Sequence, residues 1–99
     1  MRDDPGPRAV VVAPVELDLA SAPAFRTELD QALRSGAHVV VADMGSTTFC
    51  DSSGLKVLVH AALRAQANGQ RLEIHRPSQM LRRTVAILGA TALLGLVDE

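Results

Sequence analysis

Three short runs of residues that favour β-strand, each followed by a pattern typical of an amphipathic helix, constrain the fold most strongly. The runs are Ala9–Ala13, His38–Ala42 and Arg71–His75. The first is continuously apolar and the second is apolar after His38, and both are rich in valine, as in strands covered on both faces. The third alternates polar and apolar residues, which indicates a more open face or an edge. Strands alternating with helices predict an α/β domain with a mostly parallel or mixed sheet of about four strands and about three to four helices.

Capping signals delimit three of these helices. Ser21 is expected to cap the first, and Gly36 to end it. The second helix is expected over about Ser53–Ala67 and the third over Ser78–Gly89, which leaves residues 90–97 as an apolar tail of ambiguous structure. The expected buried faces contain Phe25, Leu29, Ala32 and Leu33 in the first helix, Leu55, Leu58, Val59, Ala62 and Leu63 in the second, and Leu81, Val85 and Leu88 in the third.

The composition narrows the class of protein. The 99 residues suit one domain over residues 9–99, preceded by a charged, proline-rich flexible arm over residues 1–8. The net charge of −1 and the lack of a long basic run argue against nucleic acid as a partner. Cys50 is the only cysteine, which indicates a reducing compartment, and no apolar run approaches the roughly 18 residues of a membrane span. We therefore expect a soluble cytoplasmic protein that binds neither nucleic acid nor membrane.

The stretch Phe49–Lys56, with the sequence FCDSSGLK, leads from the second strand and its polar loop into the second helix. In open α/β sheets, functional sites form beyond the carboxyl ends of the strands, where this loop is expected to lie beside the loops Pro14–Ala20 and His75–Ser78. The stretch has two interpretations. Asp51 or Ser52 caps the helix while Gly54 packs closely, or Ser52 accepts a phosphoryl group at a helix start with unpaired N–H groups.

Two segments resemble the STAS domain of bacterial anti-sigma factor antagonists. They are Val15–Ala22 (VELDLASA) and Phe49–Leu55 (FCDSSGL), and the resemblance extends over roughly residues 9–97. It implies a STAS-like fold and a non-enzymatic partner-switching protein that needs no cofactor. In this family, an anti-sigma factor that is itself a serine kinase phosphorylates the serine after the aspartate of the second motif. The phosphorylated form releases that kinase, and a phosphatase restores the serine.

Carried over by position, the resemblance makes Ser52 the phosphoacceptor and assigns Asp18 to the partner-facing surface. No metal ligand or catalytic residue is expected. The residues expected to bind the partner are Asp18, Asp51, Ser52, Ser53, Gly54 and Lys56. The chain departs from the family where Val15 replaces a usual glycine, and residues 1–8 are too short and proline-rich for the extra first strand of many members. An open sheet edge would follow, so we expect a monomer or a weak dimer.

Other functions remain open at this point. A STAS scaffold subunit without phosphorylation would carry the same fold. A small serine hydrolase would need a G-x-S-x-G elbow and a histidine, for which His75 is the nearest candidate, but the local sequence is C-D-S-S-G. Asp43 ends a strand as a phosphoaspartate would, yet no acidic pair follows the first strand, so a turn or capping role is favoured. Cys50 is expected to be mostly buried, although a helix start can activate a thiol.

Overall fold

A computed structural model describes residues 6–97, so most of the arm expected over residues 1–8 lies outside the described residues. The elements in chain order are β1 (Arg8–Val12), β2 (Glu16–Leu17), α1 (Ala22–Arg34), β3 (Val39–Asp43), β4 (Phe49–Cys50), α2 (Ser52–Ala67), β5 (Arg71–His75), α3 (Gln79–Ile87) and β6 (Gly95–Val97). A parallel sheet has the strand order β1-β3-β5-β6, and β2 pairs with β4 in a second, two-stranded parallel sheet. The expected α/β domain with a mostly parallel sheet is confirmed.

The core lies on one face of the four-stranded sheet, beneath the helices. In a parallel sheet, register partners point to the same face, so alternate residues of β3 and β5 enter this core. They are Val40, Ala42, Leu72 and Ile74, and all four are buried. Of the two phenylalanines, Phe25 is buried in the core and Phe49 is half exposed, so the core is almost entirely aliphatic.

The first strand differs from its prediction, because β1 is an edge strand with one open face. The side chains of Val10 and Val12 are 62% and 60% exposed. Continuous valine suggested burial on both faces, but the helices of residues 6–97 cover only one face of the sheet. The alternation of polar and apolar residues in β5 correctly indicated an open face. The strand is not at an edge, however, because residues 90–97, whose structure was ambiguous from the sequence, contain β6, which pairs with β5.

A row of ion pairs spans the middle of the open face. Arg8 of β1 donates to Glu73 of β5 at 2.7 Å, and it must cross β3 to reach it. Arg71 donates to the other oxygen of Glu73 at 2.8 Å. The row lies over Val39 and Val41, whose side chains are buried although they are not part of the core cluster beneath the helices of residues 6–97. Long charged side chains therefore replace a second layer at this point.

Two of the predicted helix faces need correction. Leu63 of α2 is half exposed and Leu88 after α3 is 62% exposed, although both were expected in the core. The buried face of α2 consists mainly of small residues, Gly54, Ala61, Ala62 and Ala65, together with Val57 and Leu58. These residues recur at helical spacing and form one stripe, and Leu63 lies off that stripe, so its side chain faces outward. Leu88 is the C-cap of α3 and follows the last turn that packs on the core. Within residues 6–97, no helix is long and apolar enough to cross a membrane.

Candidate functional site

The small β2–β4 sheet brings the two family-like segments together beyond the main sheet. Leu17 is the register partner of Cys50, and the N–H of Asp51 donates to the carbonyl of Leu17 at 3.1 Å. The loop that carries Asp18 therefore lies beside the start of α2. Sequence patterning missed both strands, because two residues are too few to show a strand period.

Asp51 caps α2 with its side chain. Its Oδ1 accepts hydrogen bonds from the N–H groups of Ser53 at 2.8 Å and Gly54 at 3.2 Å. The Asp51 carbonyl accepts a further bond from the N–H of Leu55 at 3.0 Å. The expectation of unpaired N–H groups at this helix start is therefore wrong for these residues, because the cap already satisfies them. A phosphate on the next residue would meet a carboxylate and not an empty anion site.

Ser52 is the first residue of α2 and its side chain is exposed. Its hydroxyl has no hydrogen-bond partner among residues 6–97, so it is available to another molecule. Ser53 is half-buried, and Lys56 is exposed one turn further along the helix. Because residues four apart share a helix face, Lys56 supplies a positive charge on the Ser52 side of α2.

Gly54 lies inside the structure and positions the helix start. A Cβ at this residue would lie 2.5 Å from Cγ of Leu17, 2.8 Å from its Cδ2 and 3.0 Å from Sγ of Cys50. Leu17 is fully buried, so it cannot move aside easily. Only glycine allows α2 to approach β2 and β4 so closely, and Gly54 therefore fixes where Ser52 sits without reaching the surface.

Cys50 supports the site by packing and not by reactivity. Burial, with a smaller contribution from the Asp51 carboxylate, raises the pKa of its thiol to about 11. The activated thiol considered as an alternative is therefore wrong, because desolvation outweighs the dipole of the adjoining helix.

Asp18 organises the neighbouring loop. Its Oδ1 accepts hydrogen bonds from the N–H groups of Ala20 and Ser21, at 3.0 and 3.1 Å. The hydroxyl of Ser21 donates a hydrogen bond at 2.7 Å to the carbonyl of Glu16, which precedes it in the chain, and not to a group of the helix. Ser21 thus occupies the N-cap position as predicted, but its side chain does not cap α1. Asp18 is half-buried, so it shapes the loop while part of its side chain stays open to solvent.

A largely apolar groove opens beside Ser52, between the start of α2 and α3. Its volume is about 320 Å³, and Phe49, Met80 and Leu88 on its rim are more than half exposed. Asp51 is the only charged residue among its lining residues, which are Thr48, Phe49, Cys50, Asp51, Ser52, Leu55, Ser78, Met80, Leu81, Thr84 and Leu88. The contribution of α3 was not predicted from the sequence. Met80, Thr84 and Leu88 recur every four residues, and this stripe outside the core face is the signal that could have revealed it.

The rival chemistries find no support in this geometry. His75 hydrogen-bonds Glu73 at 2.9 Å on the open sheet face, whereas Ser52 begins a helix on the other face, so the two do not form a pair. Both Asp43 oxygens accept bonds from Arg76 at 2.7 Å, and Oδ1 also accepts one from the N–H of Gly45 at 2.9 Å. The turn role favoured for Asp43 is confirmed. In the part of the chain that the structure describes, no cluster of His, Cys, Asp and Glu could hold a metal ion.

Comparison with known proteins gives a consistent picture of the fold. The family model described as "Mlab, STAS domain" matches residues 2–97. The structure of TM1081 of Thermotoga maritima, whose description is anti-sigma factor antagonist, is 19% identical with a TM-score of 0.79, covering 91% of this chain and 80% of that one. No curated protein matches the sequence.

SpoIIAA of Bacillus matches in two forms. The phosphorylated form is 22% identical with a TM-score of 0.73, covering 93% of this chain and 84% of that one. The unphosphorylated form is 21% identical with a TM-score of 0.75, covering 94% and 82%. The murine anion transporter Slc26a9 is 16% identical with a TM-score of 0.73, and the match covers 92% of this chain but 16% of the transporter. Because the family model spans nearly the whole sequence and the fold agrees with it, this chain belongs to the STAS-domain family.

Proposed function

We propose that this protein is an anti-sigma factor antagonist that acts by binding, and that Ser52 is its phosphorylation switch. The position of Ser52 supports this function most strongly. An exposed hydroxyl with no hydrogen-bond partner among residues 6–97 stands at the rim of an apolar groove, at the carboxyl end of the sheet. In its unphosphorylated form the protein binds an anti-sigma factor that is also a serine kinase, and this binding frees the sigma factor.

Charge at the groove rim explains the release of the partner. Phosphate on Ser52 adds about −1.5 to −2 charge beside the carboxylate of Asp51. A partner docked in the groove would have to remove water from both groups, and Lys56 on the same helix face would compensate only part of that charge. Desolvating unpaired charge is unfavourable, so the phosphorylated protein releases its partner.

The fold itself tolerates the modification. The Ser52 hydroxyl makes no bond within residues 6–97 that a phosphate would break, and a helix N-terminus favours negative charge. SpoIIAA, which shares this fold, has been solved both phosphorylated and unphosphorylated. The target of the added charge is therefore the partner surface and not the core.

The proposed cycle takes place in the cytoplasm, where the kinase takes its phosphoryl group from ATP. A phosphatase hydrolyses the phosphoserine and returns the protein to its binding form. In this cycle the protein contributes a surface and an acceptor hydroxyl, and the kinase and the phosphatase perform the chemistry.

A scaffold role without phosphorylation is the second candidate. The match to a STAS segment within a much larger transporter and to a family model named for Mlab favours it. In that case the groove would hold a permanent partner, and Ser52 would be only a contact residue.

Binding measurements on Ser52 variants separate the two functions. The candidate anti-sigma kinase is titrated with wild type, Ser52→Ala and Ser52→Asp by calorimetry, with and without ATP. We expect Ser52→Ala to bind and to resist release by ATP, and Ser52→Asp to bind at least about tenfold more weakly, or about 1.4 kcal/mol. Ser35→Ala, at the exposed serine that ends α1 away from the groove, is the matched control and should behave as wild type. Equal binding by all variants regardless of ATP would contradict the switch and favour the scaffold.

A further inference from the structure

We propose that β1 is a self-association edge, at which two copies of this chain join their sheets through antiparallel pairing of β1 with β1. Within residues 6–97, β3 is the only strand that pairs with β1. The bonds to β3 use alternate residues: the N–H of Ala13 donates to Asp43, and the carbonyl of Pro7 accepts from Val39. Because these partners alternate along a strand, Arg8, Val10 and Val12 direct their backbone N–H and C=O groups outward.

This edge lacks the features that usually prevent strands from pairing. Proteins protect edges with short strands, charged side chains, prolines or bulges. The five residues of β1 contain no proline, and its one charged side chain, Arg8, is turned across the sheet to Glu73. The opposite edge strand, β6, has three residues. A shallow cleft of about 470 Å³ runs between β1 and α1, so the described residues leave space beside the edge.

A second copy of the chain fits this edge by symmetry. A two-fold axis at Val10 would place Val10 opposite its own copy and Arg8 opposite the second copy's Val12. All three outward-facing residues then pair with outward-facing residues, and the exposed valine side chains meet on the open sheet face. The next outward-facing residues on the two sides are Pro14 and Gly6, which would lie opposite each other; Pro14 has no N–H to donate, so the ladder ends on both sides of this segment.

The charges are also complementary in this arrangement. Arg8 lies opposite the second copy's Val12, and Asp43 is the register partner of Val12 in each copy. The second copy's Asp43 would therefore lie two strands away from Arg8. Glu73, which Arg8 already reaches, is also two strands away, on the other side. The ladder has only three residues on each copy, so the association is weak and concentration-dependent. Antiparallel pairing points the carboxyl ends of the two sheets in opposite directions, which leaves both Ser52 surfaces free.

The full-length protein tests this inference through its oligomeric state and its backbone amides. Over a concentration series in sedimentation equilibrium, we expect a reversible monomer–dimer equilibrium. In NMR spectra of the same series, the amides of Arg8, Val10 and Val12 should shift with concentration, whereas those of Ala9 and Val11 should not. Val10→Pro removes an outward N–H without breaking a bond to β3, so it should abolish the dimer in a protein that still folds.

Further variants keep the test decisive. Val12→Lys adds a charge at the edge and should raise the dissociation constant at least about tenfold. Val15→Lys, at a comparably exposed valine off the edge, is the matched control and should dimerise as wild type. Ser52→Asp should also dimerise normally, so failure of the phosphorylation switch would leave this inference intact.

Four results would overturn the inference. One is a monomer at every concentration, and another is a dimer that survives both Val10→Pro and Val12→Lys. The third is protection of the outward amides in the monomer itself, which would mean that residues 1–5 cover the edge. Shifts of those amides only when another protein is added would likewise show that the edge accepts a foreign strand and not a second copy.

Discussion

At the level of single residues, Gly54 couples the motif to the fold. Alanine at this position would place its Cβ 2.5 Å from Cγ of Leu17, a fully buried side chain. Overpacking of this kind costs about 1–3 kcal/mol, more than the helix propensity gained by removing a glycine. We expect Gly54→Ala to lower the free energy of unfolding by about that amount in urea titrations, and to shift the start of α2.

The neighbouring residue provides the control for that experiment. Ser53→Ala changes the same helix turn without adding an atom near Leu17, so its unfolding free energy should stay within about 0.5 kcal/mol of wild type. If Gly54→Ala were as stable as Ser53→Ala, α2 would not be held against β2 and β4 as described.

Cys50 offers a second test at the residue scale. With its pKa raised from 9.0 to about 11, the thiolate fraction near neutral pH is roughly a hundredfold below that of an unperturbed thiol. We expect alkylation by iodoacetamide to be slow in the native protein and to reach the ordinary rate in urea, as followed by mass spectrometry. Rapid native labelling would mean that Cys50 is more open to solvent than its packing against the helix start indicates.

At the level of elements, Glu73 joins β1 to β5 across the open sheet face. Hydrogen bonds from His75 and Arg71 lower the pKa of the Glu73 carboxyl below its usual 4.5, and the charge of Arg8 lowers it further, although burial opposes them. A carboxyl whose pKa is lower in the folded state than in the unfolded chain stabilises the protein at pH values above the unfolded-state pKa. That stability is lost as the pH falls through the pKa of the folded state.

This linkage gives a pH prediction for the sheet. Urea midpoints of the wild type should fall as the pH is lowered from neutrality to below 4.5, in part through Glu73. Asp43, whose pKa the Arg76 pair lowers, contributes with the same sign. Glu73→Gln should be less stable than wild type at neutral pH and should lose less stability on acidification. Asp43→Asn should keep the share of the acid-induced loss of stability that comes from Glu73. Parallel pH profiles for wild type and Glu73→Gln would contradict the role of the ion-pair row.

Sequence patterns predicted the elements where many residues share one period. The three main strands and three helices were predicted to within a residue or two, because valine runs and capping residues are local signals. The strands β2 and β4 were missed because two residues have no period, and they form only when Leu17 and Cys50 meet. The open face of β1 was not predicted, because its valine-rich sequence is like that of β3. The second face of β3 is covered by the ion-pair row, whereas that of β1 is exposed.

At the scale of the whole molecule, the topology assembles a site that no single segment contains. Residues of the second motif place Ser52, the first motif places Asp18 beside it, and α3 closes the groove more than twenty residues further along the chain. The aspartate and serines of the motif could be assigned from the sequence. The groove could not, since Met80 and Leu88 acquire a role only through the packing of α3 beside α2.

Direct detection of phosphate on Ser52 tests the central claim. The full-length protein is incubated with the candidate anti-sigma kinase and ATP, and the modified residue is located by peptide mass spectrometry, with Ser52→Ala as the control. We predict one phosphate per chain, on Ser52, and none on the variant, with Ser53 unmodified in both. Phosphate on Ser53 or elsewhere, or no phosphate from a kinase that binds the protein, would contradict the account.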